Sequence, residues 1–195
     1  KSYSRNSFLM KTHLAGVDEV GRGCLFGPVI AAAVILGSNK IFGLKDSKKL
    51  TERKRSLLYE DIKQFASKVS IGEASVEEID SLNIKEASLL AMERAVLGLK
   101  TDNIEVIVDG IDIPKINYPC KAIIKADSKI HEVMAASIVA KVHRDNLMKE
   151  YSKKFPGFSL EKNKGYPTKE HLNILKSLGP TKHHRKSFKP VLNAK

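Results

Sequence analysis

Cysteine is scarce in this 195-residue chain: Cys24 and Cys120 stand far apart and form no Cys-x-x-Cys pair. That argues against a disulfide framework and a cysteine-based zinc site, and points to a reducing, cytoplasmic setting. Long apolar runs are missing as well. The longest, Val29 to Leu36, falls far short of the roughly twenty residues a membrane-spanning helix needs. The opening Lys-Ser-Tyr-Ser-Arg-Asn-Ser-Phe-Leu-Met has neither the apolar segment nor the small-residue cleavage site of a secretion signal. No internal repeat is present. A nucleotide-binding loop is absent too: the third glycine of a Gly-x-Gly-x-x-Gly starting at Gly21 would fall on Phe26, and no Walker lysine pattern occurs. Acids are in deficit, 22 against 34 Lys and Arg, for a formal net charge of +12. The balance points to a polyanionic partner, nucleic acid or an anionic membrane face, and nothing in the chain inserts into a membrane.

What is there reads as one α/β layered domain with an attachment. His13 to Val20 and Val29 to Leu36 form an opening hairpin, and a polar connection, Gly43 to Leu50, leads to an amphipathic helix capped by Thr51 with Leu57, Leu58, Ile62 and Phe65 at helical spacing. Lys68 to Ala74 alternates as a strand. Ser75-Val-Glu-Glu78 has capping-box spacing, and Asn83-Ile-Lys-Glu86 repeats it before a helix through Leu99, whose Leu89 and Met92 stripe is core. Ile104 to Val108 and Ala122 to Lys125 are short strands, and a long helix spans about 130–151. Residues 1–154 form the main body. Residues 155–195, rich in Lys, His, Gly and Pro with one clear helix from Thr168 to about Leu178, form a C-terminal extension packed on it.

Acids stand at three strand exits: Asp18 with Glu19, Asp109, and Asp127. Taken singly each has an ordinary explanation, since Asp109-Gly110 is a common turn pair and Asp127-Ser128 a helix start. Strand ends on one sheet edge converge, however, and carboxylates gathered there are tolerable only with cations between them. All-oxygen ligands select Mg²⁺ or Mn²⁺ over zinc, and paired metals held this way serve in-line phosphoryl displacement. Adjacent strand residues point to opposite faces, so Asp18 and Glu19 both reach one site only if the strand ends or distorts between them, for which Gly21 leaves scope. Gly21-Arg22-Gly23 lets backbone approach a ligand, and Arg22 offers charge to a phosphate. His183-His184, lacking nearby acids, reads as solvated or phosphate-contacting, and Cys24 as a packed small residue.

The segments Gly16-Val-Asp-Glu-Val-Gly-Arg-Gly23 with Gly27-Pro-Val, Leu44-Lys-Asp-Ser-Lys-Lys-Leu50, Val108-Asp-Gly110, Lys125-Ala-Asp127, Ala135-Ala-Ser-Ile-Val-Ala-Lys141 with Arg144-Asp, Lys164-Gly-Tyr-Pro-Thr168 and Arg185-Lys-Ser-Phe188 together resemble ribonuclease HII, in order from about His13 to Val191. The resemblance implies a ribonuclease H-like mixed central sheet flanked by helices, with a C-terminal helical extension. It implies an endonuclease that cleaves the RNA strand of RNA–DNA hybrids, including on the 5′ side of a single ribonucleotide embedded in duplex DNA. Two Mg²⁺ or Mn²⁺ ions would be used, leaving 3′-hydroxyl and 5′-phosphate ends. The family's metal-binding acids fall on Asp18, Glu19, Asp109 and Asp127, its Gly-Arg-Gly element on Gly21, Arg22 and Gly23, and its junction-sensing tyrosine on Tyr166. Lys48, Lys141 and Arg144 match positions near the substrate phosphates. Ala126 stands where a glycine is common and Asn163 where many relatives have histidine; neither change removes a ligand. The end, Pro190-Val-Leu-Asn-Ala-Lys, carries no evident sliding-clamp motif, and a monomer is expected. The rival readings are a non-catalytic nucleic-acid-binding domain and a hybrid-only ribonuclease H, against which Arg22 and Tyr166 speak.

Overall fold

The structure, a computed structural model, describes residues 12–194. An unbroken apolar strand is satisfied only between two covered faces, and in β2 (Val29–Leu36) seven of eight residues are buried. It pairs antiparallel with β1 (His13–Val20) on one side and with β3 (Ala66–Ala74) on the other. β1 pairs parallel with β4 (Ile104–Asp109), and β4 with β5 (Cys120–Ile123), giving the order β3-β2-β1-β4-β5. The C-terminal ends of β1, β4 and β5 therefore share one edge. This is the mixed, helix-flanked sheet expected from the sequence.

The helices are α1 (Glu52–Phe65), α2 (Val76–Leu82), α3 (Ile84–Gly98), α4 (His131–Lys154), α5 (Leu160–Asn163), α6 (Lys169–Leu178) and α7 (Lys189–Leu192). Strand alternation sends Val17, Val29, Ala31, Val106 and Val108 to one face, where they pack with Ala87, Ala91 and Ala95 of α3. Ile30, Ala32 and Val34 go to the other face, against Ala135, Ile138 and Val139 of α4 and Leu58 and Ile62 of α1. Small residues set how closely the layers approach. A Cβ on Gly16 would lie 2.2 Å from the backbone carbon of Glu132 at the start of α4, and one on Gly72 2.2 Å from the Ala91 carbonyl oxygen of α3. None of the described helices is long and apolar enough to cross a membrane.

The caps form where the sequence places them. Thr51 Oγ1 accepts from Lys54 N, Ser75 and Glu78 close a reciprocal capping box, and Asn83 Oδ1 accepts from Lys85 N and Glu86 N. Several local bounds shift: β3 begins at Ala66 rather than Lys68, and the short α5 and α7 join the one helix expected in the extension. β5 lies at Cys120–Ile123 rather than Ala122–Lys125, because Lys125 takes left-handed backbone dihedrals (φ 58°) and the chain turns into a 3-10 segment at Ala126–Ser128. The long helix runs on to Lys154, three residues past its expected end.

Residues 155–194 cover the hairpin mouth. Leu25 and Phe26, between β1 and β2, share a cluster with Met148 of α4 and with Phe158, Leu160, Leu175 and Val191. His184 corrects the solvated reading of the histidine pair: it is fully buried, bridged to Phe26, and its ring meets those of Phe26 and Phe158 at 4.9 Å. Its neighbour His183 stays partly exposed.

Candidate active site

Parallel pairing brings Val17 opposite Val108. Asp18 and Asp109 follow at the next position on the two adjacent strands. Because Val17 and Val108 face α3, the pleat turns both acids toward the α4 side. Asp127 arrives from the 3-10 turn after β5, four residues beyond the strand rather than at its end. One oxygen from each of Asp18, Asp109 and Asp127 lies within 4.8 Å of the others. At an effective dielectric of about 20, each such pair of full charges repels by roughly 3 kcal/mol.

The electrostatics carry that mark. Burial, then the charges of Glu19 and Asp109, hold the Asp18 carboxyl well above the usual range. Burial, then Asp109 and Asp46, raises Asp127, with Lys48 opposing. Lys48 Nζ stands 3.6 Å from Asp127 Oδ2. Burial works against the Lys48 charge, but Asp127, Asp18 and Asp46 outweigh it and its pKa is raised. One exposed ammonium leaves the cluster short of positive charge. Three carboxylates on a sheet edge, all hard oxygen donors, fit divalent cations of the Mg²⁺ or Mn²⁺ type.

Glu19 does not join the three. β1 runs regularly through Val20, pairing Glu19 with Ala31, so its side chain is directed to the α3 face. There it meets Arg22 at 3.5 Å and lines a cavity of about 280 Å³ together with Asp109, Lys85 and Lys125. Burial raises its pKa, Arg22 lowers it, and Asp109 raises it again. Asp109 touches both compartments, so the strand end, and no distortion of β1, connects Glu19 to the cluster.

Gly21 (φ 93°) and Gly23 differ in what they permit. A Cβ on Gly21 would lie 2.3 Å from Arg144 Nε, whereas one on Gly23 would meet no protein atom within 4 Å. Gly21 lets the loop close on the protein, and Gly23 leaves its outer side open. Arg22 is exposed.

Arg144 departs from its expected place at the phosphates. It is fully buried, and its guanidinium donates to the carbonyls of Pro28 (3.3 Å), Lys164 (2.7 Å) and Phe26 (2.9 Å). Three carbonyls meet its charge where solvent and phosphate do not reach. Arg185, to which the sequence reading assigned no role, is its counterpart: equally buried, it donates to Gly27 O and Arg22 O, each at 2.9 Å. Burial lowers its pKa to about 10. Basic residues flanking a glycine-rich turn are read from sequence as anion contacts; that they staple the turn becomes visible only with their burial.

Tyr166 is 36% exposed beside this loop. Gly165 O accepts from Leu25 N at 2.8 Å and Lys164 O from the Cys24 thiol at 3.6 Å, so the Tyr166 segment and the glycine loop are joined. Cys24 is fully buried, as expected of a packed residue. Burial, then Cys24, pushes the Tyr166 hydroxyl up to about 12, leaving it protonated at neutral pH. Lys141 pairs with Asp145 at 2.7 Å and stands 6.0 Å from the Tyr166 ring centre.

With this geometry in view, the comparisons with known proteins are specific. The family profile "Ribonuclease HII" matches residues 15–191. A ribonuclease HII from Francisella philomiragia is 51% identical over 179 residues, covering 91% of this chain and 97% of that protein. The crystal structure of ribonuclease H2 from Pyrococcus horikoshii superposes with a TM-score of 0.74 at 25% identity, over 94% of this chain and 97% of the other. That of the PCNA:RNase HII complex from Archaeoglobus fulgidus does so at 0.76 and 29%, over 91% and 95%.

Proposed function

The chain belongs to the ribonuclease HII family and is a ribonuclease H that cuts the RNA of RNA–DNA hybrids, and we propose that it also cuts on the 5′ side of a single ribonucleotide embedded in duplex DNA. The observation that carries this reading is the meeting of Asp18, Asp109 and Asp127 from three separate segments, with ligand oxygens within 4.8 Å. These three, with Glu19 on the far side of Asp109, would hold a pair of Mg²⁺ or Mn²⁺ ions. Bound there, the ions supply activation of the attacking water and charge stabilisation at the leaving oxygen.

The chain's own residues do the rest. Lys48 holds positive charge at the mouth of the acid cluster and meets the phosphate flanking the cut. Telling ribose from deoxyribose requires groups aimed at the 2′-hydroxyl, and the open outer side of Gly21-Arg22-Gly23 supports close approach of backbone donors to it, with Arg22 on the neighbouring phosphate. Tyr166 packs on the next sugar, where a second 2′-hydroxyl would crowd its ring. Lys141 sits beneath that ring. Arg185 contributes by holding the Arg22 carbonyl from within, and Arg144 by tying the following Phe26–Pro28 segment to Lys164, which leaves the outer side of the loop to the substrate.

Residues 1–154 act as the catalytic body and 155–195 as the extension that brings Tyr166 to it. In this reading the protein acts as a monomer, and free Cys24 and Cys120 suit a reducing cytoplasm. The test is nicking of a duplex carrying one ribonucleotide: divalent-metal-dependent cleavage giving 3′-hydroxyl and 5′-phosphate ends is expected, and an intact strand refutes the wider substrate range.

A further inference from the structure

Two histidines without a part in the reaction lie beneath Tyr166, both fully buried: His171 in the first turn of α6, and His184 in the segment that follows it. Their hydrogen bonds form a chain whose direction is determined. Thr181 N donates to His184 Nδ1 at 3.0 Å, so that nitrogen carries no proton. Neutral His184 then bears its proton on Nε2, 3.3 Å from His171 Nε2, which must accept it. His171 in turn bears its proton on Nδ1 and donates to the backbone carbonyl of Tyr166 at 2.9 Å. The reverse direction would turn the bare lone pair of a neutral His171 Nδ1 on the Tyr166 carbonyl. A second proton on His184 would set Nδ1–H against the Thr181 N–H, with the Thr181 hydroxyl, also 3.0 Å away, as its acceptor, and one on His171 would set two Nε2–H groups face to face.

The same carbonyl accepts from Thr168 N at 2.8 Å, and Tyr166 N donates to Asn163 O at 2.9 Å. Thr168 Oγ1 caps α6 by accepting from His171 N. The Tyr166 backbone is thus gripped on both sides, and one grip reaches through the imidazole pair to the Thr181 turn. Phe26 and Phe158 pack against the His184 ring and keep water from substituting for it.

We propose that His171 and His184 are positioning residues: as a neutral pair of fixed tautomers they set the Tyr166 carbonyl, hence the placement of its ring against the Gly21–Gly23 loop, and so tune the preference for a lone ribonucleotide. The proposal rests on the reading of Tyr166 as the side chain that senses the sugar beyond the cut. Nitrogen-15 NMR of the wild-type protein at neutral pH should find His171 as the Nδ1–H tautomer and His184 as the Nε2–H tautomer. An Nε2–H or doubly protonated His171 overturns the assignment without any variant.

Cleavage of a lone-ribonucleotide duplex and of a continuous hybrid is then compared across three variants. His171→Asn keeps a donor near the Nδ1 position, whereas His171→Leu keeps volume alone. The ratio of the two activities should fall roughly five- to tenfold in His171→Leu, on the scale of one lost buried hydrogen bond, and be largely restored in His171→Asn. A general loss of stability would lower both activities and spare the ratio, and that result, or equal ratios in the two variants, overturns the proposal. Tyr166→Ala serves as the separate control: if it leaves the ratio unchanged while the tautomers are as stated, the reading of Tyr166 fails and not the geometry of the pair.

Discussion

Asp109 Oδ1 accepts the backbone N–H of Ala126 at 2.7 Å, so the acid that ends β4 also holds the turn that delivers Asp127. One carboxylate therefore serves charge and placement together. Asp109→Asn retains an oxygen for Ala126 while removing the charge. Its expected outcome is a folded protein whose hydrolysis of hybrid falls at least about a hundredfold, as loss of metal-based charge stabilisation requires. Steady-state cleavage rates beside a thermal melt check it, and retained activity removes Asp109 from the ligand set.

Lys48 is exposed and stands over the acid cluster at 3.6 Å from Asp127. If it meets a substrate phosphate, Lys48→Ala should weaken binding of all duplexes alike and reduce the slope of log affinity against log salt by about one. Filter binding or fluorescence anisotropy between low and moderate salt measures that slope.

Arg144 should behave in the opposite way. Arg144→Lys keeps the charge but reaches at most one or two of the three carbonyls now bound, and the expected cost is about 3 kcal/mol of folding stability. Its salt slope should stay at the wild-type value, since the side chain meets no solvent. Urea unfolding together with the same binding series distinguishes a staple from a phosphate contact.

His184 titrates at about 4, lowered by burial first and then by the neighbouring His171 and His183. A depressed pKa favours the folded state above the unfolded value near 6.5, where both states are neutral. As pH falls toward 4 only the unfolded chain takes the proton, so stability is lost over that interval, by up to ~3 kcal/mol. Urea midpoints at pH 7.5 and pH 5 should differ more in the wild type than in His184→Gln. The comparison reads the imidazole pair, because His171, also lowered by burial, loses its partner in His184→Gln, while Asp18, whose pKa is raised, contributes in the opposite direction to both proteins.

Gly16 bears the start of α4 directly on β1. Gly16→Ala should cost about 1–3 kcal/mol through overpacking and disturb Asp18, two residues on along the same face. Chemical denaturation and hybrid cleavage should both register it.

Much of this was legible along the chain. Local rules reach a few residues, and within that reach Thr51, Ser75 and Asn83 cap the helices they precede, and the unbroken apolar β2 lies between two covered faces. The acids, too, are identifiable as residue types at element ends. What the tertiary structure alone decided is direction and cover. The regular pleat of β1 puts Asp18 and Glu19 on opposite faces, and a left-handed Lys125 ends β5 early and moves Asp127 onto a turn. In sequence Arg144 looks phosphate-meeting, His184 solvated or phosphate-contacting, and Arg185 shows no role, because residue types declare charge but not surroundings. They became interior when residues 155–194 closed over a hairpin more than a hundred positions away. Burial is a property of distant segments meeting, and no local pattern encodes which carbonyl will be waiting there.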